Sequence, residues 1–232
     1  MKKTWCIGVI NALFIAQMER LLWLYAQPLD EHYPVLCYDE RPCFLIGEAL
    51  APLAMTSGQV AKEHYAYEKN GSCSLLAALA PLTGQRLGLV RTQRTKKQYA
   101  ELCQALVKLY PAAHKIRLVQ DNLKTHNASA FYEHLPAEEA FALAQKCEFY
   151  DTPKSASWLN MIEIEFSALA RQCLHRRIPT QDKLESEVLA LLKERSDKQV
   201  KIHWQFSLAA ARTKLNRHYE KTNAENIKYK ET

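Results

Sequence analysis

Two apolar runs in this chain each end in an aspartate: PVLCYDE carries Asp39 and KIRLVQDN carries Asp121. Runs of four or five mostly apolar residues read as buried strands, the first spanning Val35 to Tyr38. In an open sheet with parallel strands, sites form beyond the carboxyl ends of those strands. A chain with this pattern is therefore expected to be an α/β protein with Asp39 and Asp121 side by side at one edge of the sheet. An aspartate there is more often a turn former or a helix cap, so the two positions alone do not make a site.

The stretch between them supplies more strands. Asn70-Gly71 separates two strand-like runs in HYAYEK-NG-SCSLLAALA, the signature of a two-residue hairpin turn. A second turn, LTGQ, leads into RLGLVRT, so three strands should form an antiparallel meander. Helical spacing is expected from Thr95 to Leu109, ending before Pro111, around Ala128 to His134, and from Ala137 to Cys147. A short extended piece, CEFYDTP, follows. SASWLNMIEIEFSALARQCL then reads as one long helix capped by Ser155 or Ser157. Thr180 to Arg195 and Ser207 to Tyr219 complete a helical C-terminal third.

At the other end, Ile10, Leu13, Phe14, Met18, Leu21 and Leu22 lie on one helical stripe. Asn11 and Gln17 interrupt the apolar run, so an amphipathic helix is a better reading than a signal peptide. No apolar stretch approaches the roughly 20 residues needed to cross a bilayer, and no membrane partner is expected. The 232 residues are 48% apolar and 24% charged, the balance of a globular domain. Six glycines leave little room for a Gly-rich nucleotide loop, and no small-molecule cofactor is expected. Seven scattered cysteines with no CxxC pair point to a reducing compartment and to cysteine as a core residue. The formal charge of +6 falls entirely after Ala170. Such a basic end can follow a phosphate backbone, although a solvated helical face explains it equally well.

A third acid can come from the helix that carries Glu163 and Glu165. Two positions on a helix are about 200° apart, so only one of them can face a shared site. Three carboxylates without a Cys or His cluster make a hard oxygen donor set suited to Mg2+ or Mn2+. Carboxylates packed together repel and raise one another's pKa, so the arrangement makes sense around a divalent cation. Two such ions about 3.5–4 Å apart suit phosphodiester chemistry.

YDERP around Asp39, VQDNLKTHNA around Asp121 and TPKSASWLNMIEIEFSALARQCLHRRIP around Glu163 together resemble the DDE transposases of bacterial insertion sequences, in the branch related to mariner transposons. The likeness runs from about Trp5 to Tyr219, and the pairing of DN…TH with SWLN..E makes it specific. It implies an RNase H-like core with a five-stranded mixed sheet flanked by helices. The first acid would lie on the first strand, the second after the fourth and the third on a later helix. Matched residue by residue, these are Asp39, Asp121 and Glu163, serving as catalytic residues and as ligands of two Mg2+ or Mn2+ ions, with Glu165 as the alternative third acid. The implied reaction is hydrolysis of a phosphodiester at a transposon end, then attack of the freed 3′-hydroxyl on target DNA.

Double-stranded DNA would be the partner, bound by a homodimer in the bacterial cytoplasm near the nucleoid. Candidate DNA contacts are Asn122 and His126 of the DN…TH motif, Lys154 and Asn160 around the start of the Glu163 helix, and Arg171, Arg176 and Arg177 at its end. Asn122 and His126 could instead orient Asp121, Asn160 could cap the helix, and Trp158 reads as a packing anchor. The domain plan is an N-terminal helix and linker over 1–33, the catalytic domain over 34–220 and a polar tail over 221–232. Residues 1–33 are too few for a helix-turn-helix and a linker, so the chain reads as the catalytic part alone. An inactive or regulatory remnant that binds DNA or the full-length enzyme is the alternative.

Overall fold

The structure, a computed structural model, describes residues 9–229 except 52, 61, 63 and 124. Trp5, Cys6 and the end of the polar tail lie outside the described residues. The first helix, α1 (Ala12–Tyr25), starts where the Asn11 side chain accepts a hydrogen bond from the Phe14 amide at 2.9 Å. It buries Phe14, Met18, Leu21, Leu22 and Leu24. Leu13, expected on this stripe, stays 65% exposed; it lies about 100° round the helix from Phe14.

Five strands follow: β1 (Val35–Glu48), β2 (Tyr67–Leu79), β3 (Arg86–Arg91), β4 (Ile116–Gln120) and β5 (Cys147–Asp151). They form one sheet in the order β3-β2-β1-β4-β5, antiparallel across β1, β2 and β3 and parallel across β1, β4 and β5. This is the expected five-stranded mixed sheet of the RNase H-like arrangement, with helices on both faces. β1 runs well past Tyr38. Its parallel pairing with β4 stops at Cys37 opposite Val119, while its antiparallel pairing with β2 continues to Glu48 opposite Tyr67. Asp39 thus lies inside β1, at the level where β4 has ended, and not beyond the end of its own strand.

The Asn70-Gly71 hairpin turn is not formed. Both residues lie within β2, where Gly71 faces Leu45, Lys69 faces Ile46 and Asn70 is the extra residue of a bulge. A bulge and a tight turn leave the same mark in sequence because both use a residue at positive φ; Gly71 has φ +110. The antiparallel meander is therefore β1-β2-β3, closed by the expected turn after Leu79, where the Ala80 amide donates to the Gln85 carbonyl at 2.8 Å.

The alternation of β2 explains why its apolar run is unbroken. Leu75, Ala77 and Leu79 face one core with Phe14, Met18, Phe166, Val188 and Leu192. Leu76 and Ala78 face the other with Tyr38, Tyr99, Leu102 and Phe131. The second core is roofed by α2 (Lys96–Leu109), α3 (Ser129–His134) and α4 (Ala137–Lys146). α2 opens with a capping box between Thr95 and Gln98. The first core is covered by α1, α5 (Ile162–Gln172), α6 (Gln181–Asp197), α7 (Leu208–Lys214) and α8 (Asn216–Thr222). Because α1 shares this core with the sheet, residue 33 separates no structural unit. All six described cysteines are free and buried, as core residues should be.

Two expected helices are split. The segment from Ser155 begins with a residue at φ +61, makes a 3-10 turn over Ser157–Leu159, and becomes α-helical only at Ile162. Neither serine caps α5. The segment after Ser207, which does cap α7, breaks at Leu215 between α7 and α8.

Candidate active site

The two halves of the sheet part at β1. Beyond Cys37 its only strand partner among the described residues is β2, and beside the gap left by β4 the segment leading into α5 bonds β1 through Asn160 and the Tyr38 carbonyl. The Asp39 Oδ1 accepts a hydrogen bond from the Glu40 amide at 2.7 Å. Burial pushes the Asp39 carboxyl up to about 6, against the pull of the Glu40 amide. The negative charges of Asp121 and Glu163 push it further up, while His126 pulls it down. Asp121 and Glu163 are thus each near enough to Asp39 for their charge to raise it.

Asp121 is the first residue after β4. Its Oδ1 lies 2.5 Å from His126 Nδ1, and its side chain is 32% exposed. Glu163 stands in the first turn of α5, where the helix dipole favours an anion. The place of α5 is set by Asn160. Its Nδ2 donates to the Tyr38 carbonyl at 2.8 Å, and its own carbonyl accepts from the Glu163 amide at 3.2 Å. One buried amide thus ties the start of the Glu163 helix to the residue before Asp39.

Glu165 faces the other way and is 1% exposed. Arg86 Nη2 lies 2.9 Å from its Oε2, and Arg195 Nε lies 2.7 Å from its Oε1. Burial alone would raise its pKa, but the hydrogen bonds from Arg86 and Arg195 hold it below the usual carboxylate value. It is a core ion-pair centre, neither a member of the Asp39 cluster nor a surface acid.

The expected DNA contacts divide by exposure. His126, with its side chain fully buried, and Asn160, 2% exposed, cannot reach a phosphate from where they stand. Each holds part of the site in place instead. Arg177 is spent on Glu48 at 2.5 Å and on the His64 and Ala66 carbonyls at 2.8 and 3.2 Å. It secures the connection between β1 and β2. Arg176 is exposed and pairs with Glu187 at 2.6 Å. Arg171 is exposed and makes no ion pair among the described residues. Lys154 and Asn122 are exposed and line, with Asp121, Thr152 and Ser157, a cleft of about 470 Å³. Trp158 packs edge-on against Phe206 with ring centroids 5.7 Å apart.

Two further residues escaped the sequence reading. Glu40 has a side chain only 5% exposed and meets His126 Nε2 at 3.2 Å. Arg94, more than half exposed, comes within 4.0 Å of the other Glu40 oxygen. Glu40 was visible beside Asp39 in YDERP, but alternation along a strand sends neighbours to opposite faces, which gave no reason to join it to the site. Arg94 follows β3 and carries no local signal.

Among the described residues, no three or more His, Cys, Asp or Glu side chains are drawn together at ligating distance. The donor chemistry nonetheless fits a hard divalent cation. Asp39, Asp121 and Glu163 offer only oxygen, and their mutual repulsion is what a bound cation would relieve.

Residues 34–185 match the family model described as DDE superfamily endonuclease. Among solved structures, the chain is similar to the Mos1 mariner paired end complex with Mn, at 16% identity and TM-score 0.58, over 100% of this chain and 68% of that one. It is similar to the Mos1 Strand Transfer Complex at 15% identity and TM-score 0.58, over 100% of this chain and 67% of that one. For the mariner Mos1 paired end complex with Mg the identity is 13% and the TM-score 0.54, over the same shares of the two chains. At these identities the likeness is one of fold. No curated protein matches the chain.

Proposed function

The chain belongs to the DDE superfamily endonucleases, and from that premise we propose that it cleaves DNA phosphodiesters and transfers the freed 3′ end to target DNA, as the catalytic part of a transposase. The observation that carries this reading is the placing of Asp121 and Glu163 beside a partly buried Asp39, whose carboxyl is raised to about 6 by burial and, in part, by those two charges. These three acids are the catalytic residues and would hold two Mg2+ or Mn2+ ions. Bound divalent ions would supply Lewis-acid stabilisation of the attacking and leaving oxygens of an in-line displacement. Such ions are named for the Mos1 complexes with Mn and with Mg.

The rest of the work falls to the chain. Asn160 keeps Glu163 and Asp39 in register through the Tyr38 carbonyl. His126 fixes the orientation of Asp121. Lys154 and Asn122 line the same cleft as Asp121 and would hold the DNA strand there through its phosphates. Arg171 and Arg176 extend that path along the exposed end of α5, and Arg94 is a further phosphate contact. A Mos1 paired-end complex with a transposon end among the fold relatives supports DNA as partner, and a homodimer is the working form this reading implies. No helix among the described residues is long and apolar enough to cross a membrane.

Cleavage of a labelled duplex with Mn2+ tests the reading. The wild type is expected to nick the duplex, and Asp121→Asn to lose at least about a hundredfold in rate. A wild type that binds the duplex without cutting it would overturn the proposal in favour of a regulatory transposase remnant.

A further inference from the structure

A fourth carboxylate, Glu40, lies next to Asp39, which the charges of Asp121 and Glu163 already raise. Glu40 is almost fully buried, and burying a charge is costly unless it is paired. Its Oε1 accepts a hydrogen bond from the Tyr38 hydroxyl at 2.9 Å and lies 3.2 Å from His126 Nε2. The other ring nitrogen of His126 lies 2.5 Å from Asp121 Oδ1. One imidazole therefore bridges a buried carboxylate on β1 and a partly exposed carboxylate after β4.

The ring has little freedom to turn. It stacks on Tyr99 with centroids 5.0 Å apart and meets Tyr38 edge-on at 5.1 Å. Its backbone carbonyl accepts from Gln120 Nε2 at 2.6 Å, and Gln120 is held in turn by the Tyr99 hydroxyl at 2.7 Å. A phenylalanine would fill this aromatic box as well as histidine does. What requires an imidazole is the pair of carboxylates at its two ends.

We propose that Glu40 is a positioning residue, acting through His126 to lock Asp121 with Oδ1 engaged and Oδ2 turned to the other acids. This deepens the reading of the site as a divalent-cation centre and rests on it. Carboxylate–imidazole contacts behind a ligand fix its orientation, and their loss commonly costs ten- to a hundredfold in metal affinity. Without the relay, Asp121 would rotate among its staggered positions and present either oxygen, or neither, to a cation. Asp39 and Glu40, neighbours in sequence, would then serve one centre from the two faces of β1, the first directly and the second through the ring.

Calorimetric titration of Mn2+ into the full chain tests this, with thermal unfolding of each variant recorded alongside. Glu40→Leu/His126→Phe removes the carboxylate and the imidazole of the relay together and keeps apolar groups of similar size, so that only the Tyr38 hydroxyl loses its acceptor. It is expected to remain folded and to bind Mn2+ about ten- to a hundredfold more weakly than the wild type. Glu40→Gln, which can still bond the ring, is expected to keep affinity within about threefold of the wild type. Glu40→Leu alone, which fills the space without bonding the ring, is expected to bind as weakly as the double variant. Equal affinity of the two single variants would leave Glu40 a filler. Should the double variant bind Mn2+ as tightly as the wild type, the relay has no positioning role. That failure is separable from failure of the cation site itself, in which the wild type would show no Mn2+ binding that Asp121→Asn abolishes.

Discussion

Helix α5 carries two acids two residues apart that live under opposite electrostatics. Glu165 is buried between Arg86 and Arg195, and its pKa is held down. Glu163, on the far side of the helix, joins Asp39 and Asp121, and there the Asp39 carboxyl is pushed up to about 6. The first centre is neutralised by cations the chain itself provides. The second is left with an excess of negative charge, offset within the protein mainly by the imidazole of His126. Glu165 is folded together with its counter-ions, whereas the acids around Asp39 are left to the one imidazole, the contrast expected if, as proposed, they serve a cation from solution.

The largest effect should come from breaking the neutralised centre. Glu165→Ala strands two arginine charges in the core, and a loss of about 3–5 kcal/mol is expected in chemical denaturation. Glu163→Gln should change stability by no more than about 0.5 kcal/mol and abolish DNA cleavage. A Glu165→Ala protein of undiminished stability would erase the contrast.

Next in size is the pH response of the metal-free protein. Because the folded-state pKa of Asp39 is raised, its contribution to stability is full below about pH 4 and is lost as the pH rises through about 6. Glu165, with its pKa lowered, contributes in the opposite sense: its stabilisation is present above about pH 4.5 and is lost as the pH falls. Asp39→Asn should therefore gain about 1–2 kcal/mol over the wild type at pH 7 and nothing at pH 4, as read by denaturation across that range. Mn2+ should raise the melting temperature of the wild type in a concentration-dependent way and leave that of Asp39→Asn unchanged.

The smallest effects belong to the exposed arginines. Arg171→Ala and Arg176→Ala should each alter stability by under about 0.5 kcal/mol, while lowering the slope of log affinity against log salt for duplex DNA by about one unit. Arg177→Ala should do the reverse, since its guanidinium is spent inside the fold. Its signature is a lowered melting temperature with an unchanged salt slope.

What could be read in advance was whatever is local. The helical spacing from Thr95 to Leu109 marked α2 within one residue, and the apolar run ending in Asp121 marked β4. The DN…TH and SWLN..E motifs pointed to Asp121 and Glu163. What stayed hidden depends on residues far apart in the chain. β1 extends beyond Tyr38 because β2 pairs with it, and nothing in YDERP announces that partner. Arg86 and Glu165 are 79 residues apart, so the acid that belongs to the core could not be told from the acid that belongs to the site beyond the 200° rule. The break before Ile162 is made by an asparagine reaching back to β1, which no helical periodicity records.

The convergence of Asp39, Asp121 and Glu163 can be measured without any metal. Carboxyl carbon resonances followed through a pH titration by NMR report the Asp39 pKa directly, in the wild type, in Asp121→Asn and in Glu163→Gln. A wild-type midpoint near 6 that drops in both variants is the predicted result. A midpoint near the ordinary aspartate value of about 4, or one that ignores the loss of either neighbour, would contradict it.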